Sequence, residues 1–145
     1  MESVAYEDLL RKEGKVITHV VGGSMLPLLR NRESIVIVES SDRVAPRRGD
    51  VVLYKMDGSY ILHRVLCITP AEYQTRGDNT WVTEHVPREA LLATMTGFYR
   101  YPESRFVSRN DILYRLYRAA LPCIRWIQRF AGKGKRMLKK LWGLL

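Results

Sequence analysis

Polar and apolar residues follow two different rhythms along this chain. Between Val16 and Arg100, short runs rich in Val, Ile, Thr and Tyr recur: KVITHVV, ESIVIVES, DVVLYKM, YILHRVLCIT, EYQTRG and LLATMTGFYR. β-Branched and aromatic side chains fit a pleated, half-buried surface, and Gly, Pro, Asp and Asn separate the runs, so each is read as a strand. Their spacing of about ten residues suits an antiparallel sheet or barrel and leaves no room for the crossover helices of parallel βαβ units. Asp57-Gly58 stands between two of the runs and predicts a tight hairpin, pairing DVVLYK with YILHRVL. APRRGD and RGDNT are read as further turns.

At the two ends the period becomes helical. Residues 2–13 predict a short helix in which Val4, Leu9 and Leu10 share a face with Tyr6, ended by Gly14. From Asp111 onward, Leu113, Leu116, Tyr117, Ala120, Ile124 and Ile127 recur at steps of three and four, with Arg115, Arg118, Arg125 and Arg129 among them. After AGKGK the pattern returns in Met137, Leu138, Leu141 and Trp142 beside Lys139 and Lys140. Two basic amphipathic helices with a Gly/Lys hinge are expected, Pro122 kinking or restarting the first. The expected fold is therefore mainly β: an antiparallel body over residues 1–109, opened by a short helix, and a basic amphipathic helical tail over 110–145.

Charge sharpens this division. The net charge is +9, yet residues 110–145 hold nine basic residues against one acid, Asp111, while 1–109 hold fifteen against fourteen. Nearly all of the excess sits on the tail. Cys67 and Cys123 are 56 positions apart without CxxC spacing, so neither a disulfide framework nor a zinc site is expected, and both are read as buried or half-buried thiols. The start, MESVAYEDLLRKEGKV, carries charges throughout and lacks the apolar core of a secretory signal. No apolar run approaches the roughly 18 residues of a spanning helix. A cytoplasmic protein, peripheral on the inner membrane surface if the tail engages lipid, is expected.

Within the body, groups with complementary chemistry occur in order: Ser24 in VVGGSMLPLLRN, then RGDVVLY, His63 in a strand, and GDN at 77–79. A serine hydroxyl becomes a competent nucleophile when a base takes its proton, and imidazole is matched to that task near neutral pH. Imidazole works best when an acceptor fixes its tautomer. Singly, each has an ordinary reading: Ser24 as a turn residue, His63 as a strand histidine on the face of Ile61 and Val65, Asp78 as an Asx-turn residue.

The ordered set GGSMLPLL, RRGDVVLYK, HRVL and RGDNTWVTE resembles the boxes of type I signal peptidases and the related self-cleaving repressor peptidases, over about Thr18 to Arg100. It is closest to the histidine-containing branch of endoplasmic-reticulum and archaeal signal peptidases. The resemblance implies a serine endopeptidase with Ser24 as nucleophile and His63 as general base. It offers two acids to orient His63, either Asp78 of the GDN box or Glu84, where that branch has aspartate; His85 is the lesser candidate base. Signal peptidases commonly place a serine two residues before the nucleophile as an oxyanion donor, and here that position is Gly22. The backbone N–H groups of Ser24 and Met25 would then hold the oxyanion. Gly22, Gly23, Leu26 and Pro27 are expected to border an extended substrate, and neither metal nor cofactor is called for.

The membrane-spanning helix with which such peptidases begin is missing from residues 1–17, so a peptide or leader precursor is the expected substrate class. The tail, with Trp126, Phe130, Leu141 and Trp142 among its cations, suits an anionic membrane surface; equally, its apolar stripe could pack on the body. Nucleic acid is not expected, since the aromatics form helical stripes and no stacking platform. The rival from another class is a non-enzymatic β scaffold whose basic tail binds a membrane surface or nucleic acid.

Overall fold

The computed structural model describes residues 5–100 and 105–130. Helix α1, Tyr6–Glu13, is followed by strands β1 Lys15–His19, β2 Ile35–Ser40, β3 Val51–Met56, β4 Ser59–Ile68, β5 Glu72–Arg76, β6 Glu84–Pro87, β7 Leu91–Tyr99 and β8 Phe106–Ser108, and then by helix α2, Ile112–Phe130. The strands form one curled antiparallel sheet in the order β1-β2-β7-β3-β4-β5-β6, with β8 added to β7. Every predicted strand run is present. β6 and β8 are additional, and both are too short for alternation to announce them.

The turn chemistry works as expected. Met56 pairs with Ser59, leaving Asp57 and Gly58 as a two-residue loop, both at positive φ (50° and 75°), the mirror-image turn that matches strand twist. Gly14 ends α1 at φ 74°, its N–H returning to Leu10 O.

Alternation along the curled strands builds a core on each face. On one side Val16, Val36, Val38, Val51, Leu53 and Met95 pack with Leu10 of α1, Tyr114 of α2, and Met25, Leu28 and Leu29 of the loop between β1 and β2. On the other, Val52, Tyr54, Val65, Tyr73, Val86 and Leu91 form a smaller cluster. Adjacent residues of β4 therefore serve different cores, and His63 and Arg64, both buried, lie back to back on the sheet.

The tail departs from its expected pattern in three ways. Helix α2 runs through Pro122 without a break; Pro122 is exposed, so water can meet the carbonyl that lacks its amide partner. Its packed face is Tyr114, Tyr117, Leu121 and Arg125, while Leu113, Leu116, Ala120 and Ile127 are exposed. Tyr114 is buried and Tyr117 half-buried because their hydroxyls supply polar contacts that leucine lacks, as described below. The second tail helix lies outside the described residues, as does Val4. Cys67 and Cys123, expected to be buried or half-buried, are exposed free thiols: Cys67 follows a register shift in the β4–β5 ladder, and Cys123 stands on the outer side of α2. No described helix is long and apolar enough to cross a membrane.

Helix α1 is fixed to the β3–β4 hairpin by charge as well as by packing. Lys55 Nζ donates to Glu7 at 2.7 Å, and Tyr60 OH donates to the same carboxylate. These bonds, Lys55 first, draw the Glu7 carboxyl from 4.5 down to about 2. A depressed carboxylate stabilises the fold above its ordinary pKa, and that contribution disappears as pH falls through the folded value. The wild type should thus exceed Glu7→Gln in thermal midpoint above pH 4.5, with the gap closing toward pH 2. Thermal melts of both proteins across that range check this; a gap independent of pH would refute it.

Candidate active site

Ser24 lies in the turn-rich loop between β1 and β2, and core packing sets its position. Met25 at 1% exposure, Leu28 at 5% and Leu29 at 0% anchor the loop from beneath, while Leu26 stays exposed. Met25 is thus a core residue, and Leu26 and half-buried Pro27 face outward beside Ser24. Gly22 adopts φ 93°, a conformation that side chains rarely occupy, and Asn31 Oδ1 accepts its N–H at 2.9 Å. A serine at position 22 would carry that strain, which accounts for glycine there. Neither the Ser24 nor the Met25 N–H donates to an acceptor among the described residues.

The GDN turn closes over this loop from the far end of β5. Asn79 N–H donates to Ser24 O at 2.8 Å, and its side-chain amide donates to Gly23 O at 3.1 Å. Gly77 is held so close that a Cβ there would stand 2.6 Å from Ser24 O, a contact with backbone that no rotamer could relieve. The same point is 3.1 Å from Ser24 Cβ and 3.1 Å from His63 Nε2. Ser24 and the Nε2 edge of His63 therefore border one small space, kept open by the missing side chain of Gly77. Ser24 Oγ and Nε2 make no hydrogen bond here, and in such sites that bond commonly tightens only around substrate.

The other edge of His63 is firmly held. Nδ1 lies 2.7 Å from Glu84 Oε2 and 3.1 Å from Tyr54 OH. Thr75 Oγ1 donates to Tyr54 OH at 3.1 Å, and Tyr54 OH donates to Glu84. Burial, and then the Glu84 carboxylate, push the Tyr54 phenol well above its ordinary range, so it remains a donor at any working pH. With Glu84 accepting, the network assigns the His63 proton to Nδ1 and leaves Nε2 with its lone pair toward the space shared with Ser24. Strand register explains the convergence: Val52 opposes His63, Tyr54 opposes Ile61, and Thr75 pairs with both Val65 and Glu84, so all four polar groups lie on one face.

Of the two acids left open by the sequence, Glu84 meets His63 and Asp78 does not. Asp78 is 3% exposed and accepts both forks of Arg64, Nε to Oδ1 and Nη2 to Oδ2, each at 2.7 Å, on the opposite face of the sheet. Tyr117 OH adds a third donor at 2.9 Å, and Arg64 also reaches Gly49 O and Tyr114 OH. Burial alone would lower the Arg64 pKa, but the Asp78 pair outweighs it and holds the guanidinium above its ordinary pKa. Asp78 is thus an anchor that fixes the turn carrying Gly77 and Asn79. His85, although adjacent to Glu84, points its exposed ring to Glu72, 2.6 Å from Nδ1, and is not brought to Ser24. Among the described residues no group of three or more His, Cys, Asp and Glu side chains is placed to hold a metal ion.

Several members of this constellation were given no role of their own by the sequence: Tyr54, Thr75 and Arg125, and Arg64, Gly77 and Asn79, which entered only as letters of the HRVL and GDN boxes. Arg125 of α2 donates to Gly77 O at 3.1 Å and Asp78 O at 3.2 Å, and its guanidinium covers the Trp81 ring at 4.6 Å. Tyr54 did leave a signal. Once Asp57-Gly58 pins the hairpin register, Tyr54 falls diagonally across from His63 on the same face. Arg125 left none, because a helical arginine reads as solvated until its neighbours are known.

No protein-family model matches the chain, and no curated protein is significantly similar to it. The site therefore rests on its own geometry.

Replacing Arg64 with Met should strand the buried Asp78 carboxylate and lower stability by about 3–5 kcal/mol, with the double variant Arg64→Met/Asp78→Asn recovering part of the loss. Urea unfolding midpoints measure both effects; equal losses in the two proteins would refute a dominant role for the stranded charge.

Proposed function

We propose that the protein is a serine endopeptidase of the signal-peptidase-like type, with Ser24 as nucleophile, His63 as general base and Glu84 as the acid that orients His63. The observation that carries this reading is the division of the imidazole: Nδ1 is bound to Glu84 at 2.7 Å, while Nε2 borders Ser24 across the vacant Cβ position of Gly77. The resemblance of the GGSMLPLL, HRVL and RGDNTWVTE segments to the histidine branch of those peptidases supports the same assignment.

In this mechanism an extended peptide closes the space beside Ser24, and His63 Nε2 takes the Oγ proton as Oγ attacks the scissile carbonyl. The charge that develops on the carbonyl oxygen meets the free N–H groups of Ser24 and Met25, with no hydroxyl at Gly22 to assist. Losing one oxyanion donor commonly costs about 10²–10³ in rate, so a slow enzyme with a narrow substrate range is the consistent picture. Glu84 stabilises the imidazolium, which then protonates the leaving amine. Water, activated by the same Nε2, hydrolyses the Ser24 ester. Val20, Val21, Leu53, Tyr60 and Leu62 line an apolar groove that begins where β1 enters the Ser24 loop, and it suits an extended leader or precursor peptide.

The membrane-surface reading of the tail also has specific support. Ile112 at 62%, Leu116 at 58%, Trp126 at 64% and Phe130 at 69% exposure form an apolar stripe on the side of α2 turned away from the body. Packing and surface binding are thus compatible, because opposite faces of one helix serve them. A peripheral, inner-surface location follows from this reading.

A serine-directed activity probe should label the wild type at Ser24 and leave Ser24→Ala and His63→Ala unlabelled. Glu84→Gln should label about 10⁴-fold more slowly, as expected for loss of the group that fixes the imidazole tautomer, whereas Asp78→Asn in folded protein should lose far less. Mass spectrometry of a mixed peptide library incubated with each variant then reads cleavage directly. Equal cleavage by wild type and Ser24→Ala would refute the enzyme reading.

A further inference from the structure

Away from Ser24, the chain gathers a second polar site that the proposed chemistry does not use. Arg47 and Arg48 before β3, Arg109 after β8, and Arg115 and Arg118 of α2 line a cleft of about 410 Å³. One carboxylate lies against three of these arginines. Asp50, 1% exposed, accepts the Arg47 N–H at 2.8 Å, and the guanidinium groups of Arg109, Arg47 and Arg118 approach it at 3.3, 3.6 and 3.9 Å. These are long, shared contacts, and Asp50 Oδ1 receives no hydrogen bond at all. A single carboxylate thus faces three guanidiniums and balances the charge of one. Arg48 and Arg115 have no carboxylate within ion-pair distance among the described residues. Asp111, next in sequence to Asn110 of the cleft lining, is occupied by Arg105 and by the Leu113 N–H at the start of α2.

Five guanidiniums against one carboxylate leave an excess of positive charge in a partly enclosed space, with Arg109 and Arg118 at only 16% and 26% side-chain exposure. All five are arginine, whose planar fork matches the oxygens of a phosphate, and none is lysine. Helical periodicity places Arg115 on the flank of α2 next to the exposed stripe of Ile112, Leu116 and Trp126. Cleft and stripe thus adjoin along one edge of the helix.

We propose that this arginine cleft binds the phosphate of an anionic phospholipid headgroup while the adjoining α2 stripe enters the acyl boundary. The proposal rests on the membrane-surface reading of the tail and gives it a defined lipid site. The adjoining stripe decides among occupants of the same charge: a free phosphate or a nucleic acid satisfies the arginines but leaves exposed Leu, Ile and Phe in water, whereas a lipid surface covers both.

The test is co-sedimentation of the full chain with vesicles of phosphatidylcholine alone and of phosphatidylcholine mixed with phosphatidylglycerol. Arg48→Gln/Arg115→Gln removes two cations that hold no ion pair among the described residues, and unchanged far-ultraviolet circular dichroism would verify that folding is preserved. Wild type should bind the anionic vesicles, and the double variant should bind at least about tenfold more weakly, each basic residue contributing a several-fold factor near a charged surface. Leu116→Ser/Phe130→Ser should lose vesicle binding yet keep a thermal shift with inorganic pyrophosphate that Arg48→Gln/Arg115→Gln lacks. Equal vesicle binding by wild type and the double arginine variant would overturn the cleft while sparing the membrane reading. Binding of wild type to pyrophosphate or to an oligonucleotide but not to anionic vesicles would overturn the lipid assignment. No vesicle binding by any protein would overturn both, and Ser24 labelling, measured in solution without vesicles, reports on the peptidase reading independently.

Discussion

The bidentate pair between Arg64 and Asp78 is the contact from which the rest of the arrangement hangs. Two opposite charges buried at 4% and 3% exposure are tolerable only because nearly every donor and acceptor is used, and those uses tie distant segments together. Arg64 comes from β4 and Asp78 from the turn after β5, while Gly49 O precedes β3 and Tyr114 and Tyr117 belong to α2. With Asp78 fixed, Gly77 and Asn79 have one place to be, against the backbone of Ser24. The geometry beside the imidazole is thus set from the opposite face of the sheet.

That division follows from strand alternation. In β4 the imidazole and the guanidinium are sequence neighbours and spatial opposites, so one residue carries the proposed proton transfer and the next carries the scaffold. Helix α2 completes the scaffold side, where Arg125 binds the carbonyls of Gly77 and Asp78 and Tyr117 caps the Asp78 carboxylate. The tail is therefore part of the body over Ile112–Phe130, even though its composition sets it apart.

Much of the fold was legible because it depends on local pattern. The strand runs, the Asp57-Gly58 hairpin and the Gly14 stop are each dictated by neighbours in sequence. The acid partner was not, since Asp78 and Glu84 are six positions apart and equally plausible by charge; β6 is only four residues long, and its pairing with β5 is what turns Glu84 toward Thr75 and His63. Tyr54 and Thr75 look like ordinary strand residues until the register brings their hydroxyls together. The packed face of α2 was left open for a related reason. Hydropathy favours its leucines, but the buried ion pair beneath it selects the tyrosines, which can donate hydrogen bonds there.

Gly77 has a consequence at the level of the gene. Most protein positions accept some substitutions, because a neighbouring side chain can swing aside or a conservative replacement keeps the function. Here the requirement is for an absent atom, and the obstacle is a carbonyl of the main chain. Every missense change in a glycine codon adds at least a β-carbon, so no class of replacement, however mild in charge or polarity, is a conservative one at this site. A drifting lineage should therefore tolerate exchange among acids at position 84 long before it tolerates anything at position 77.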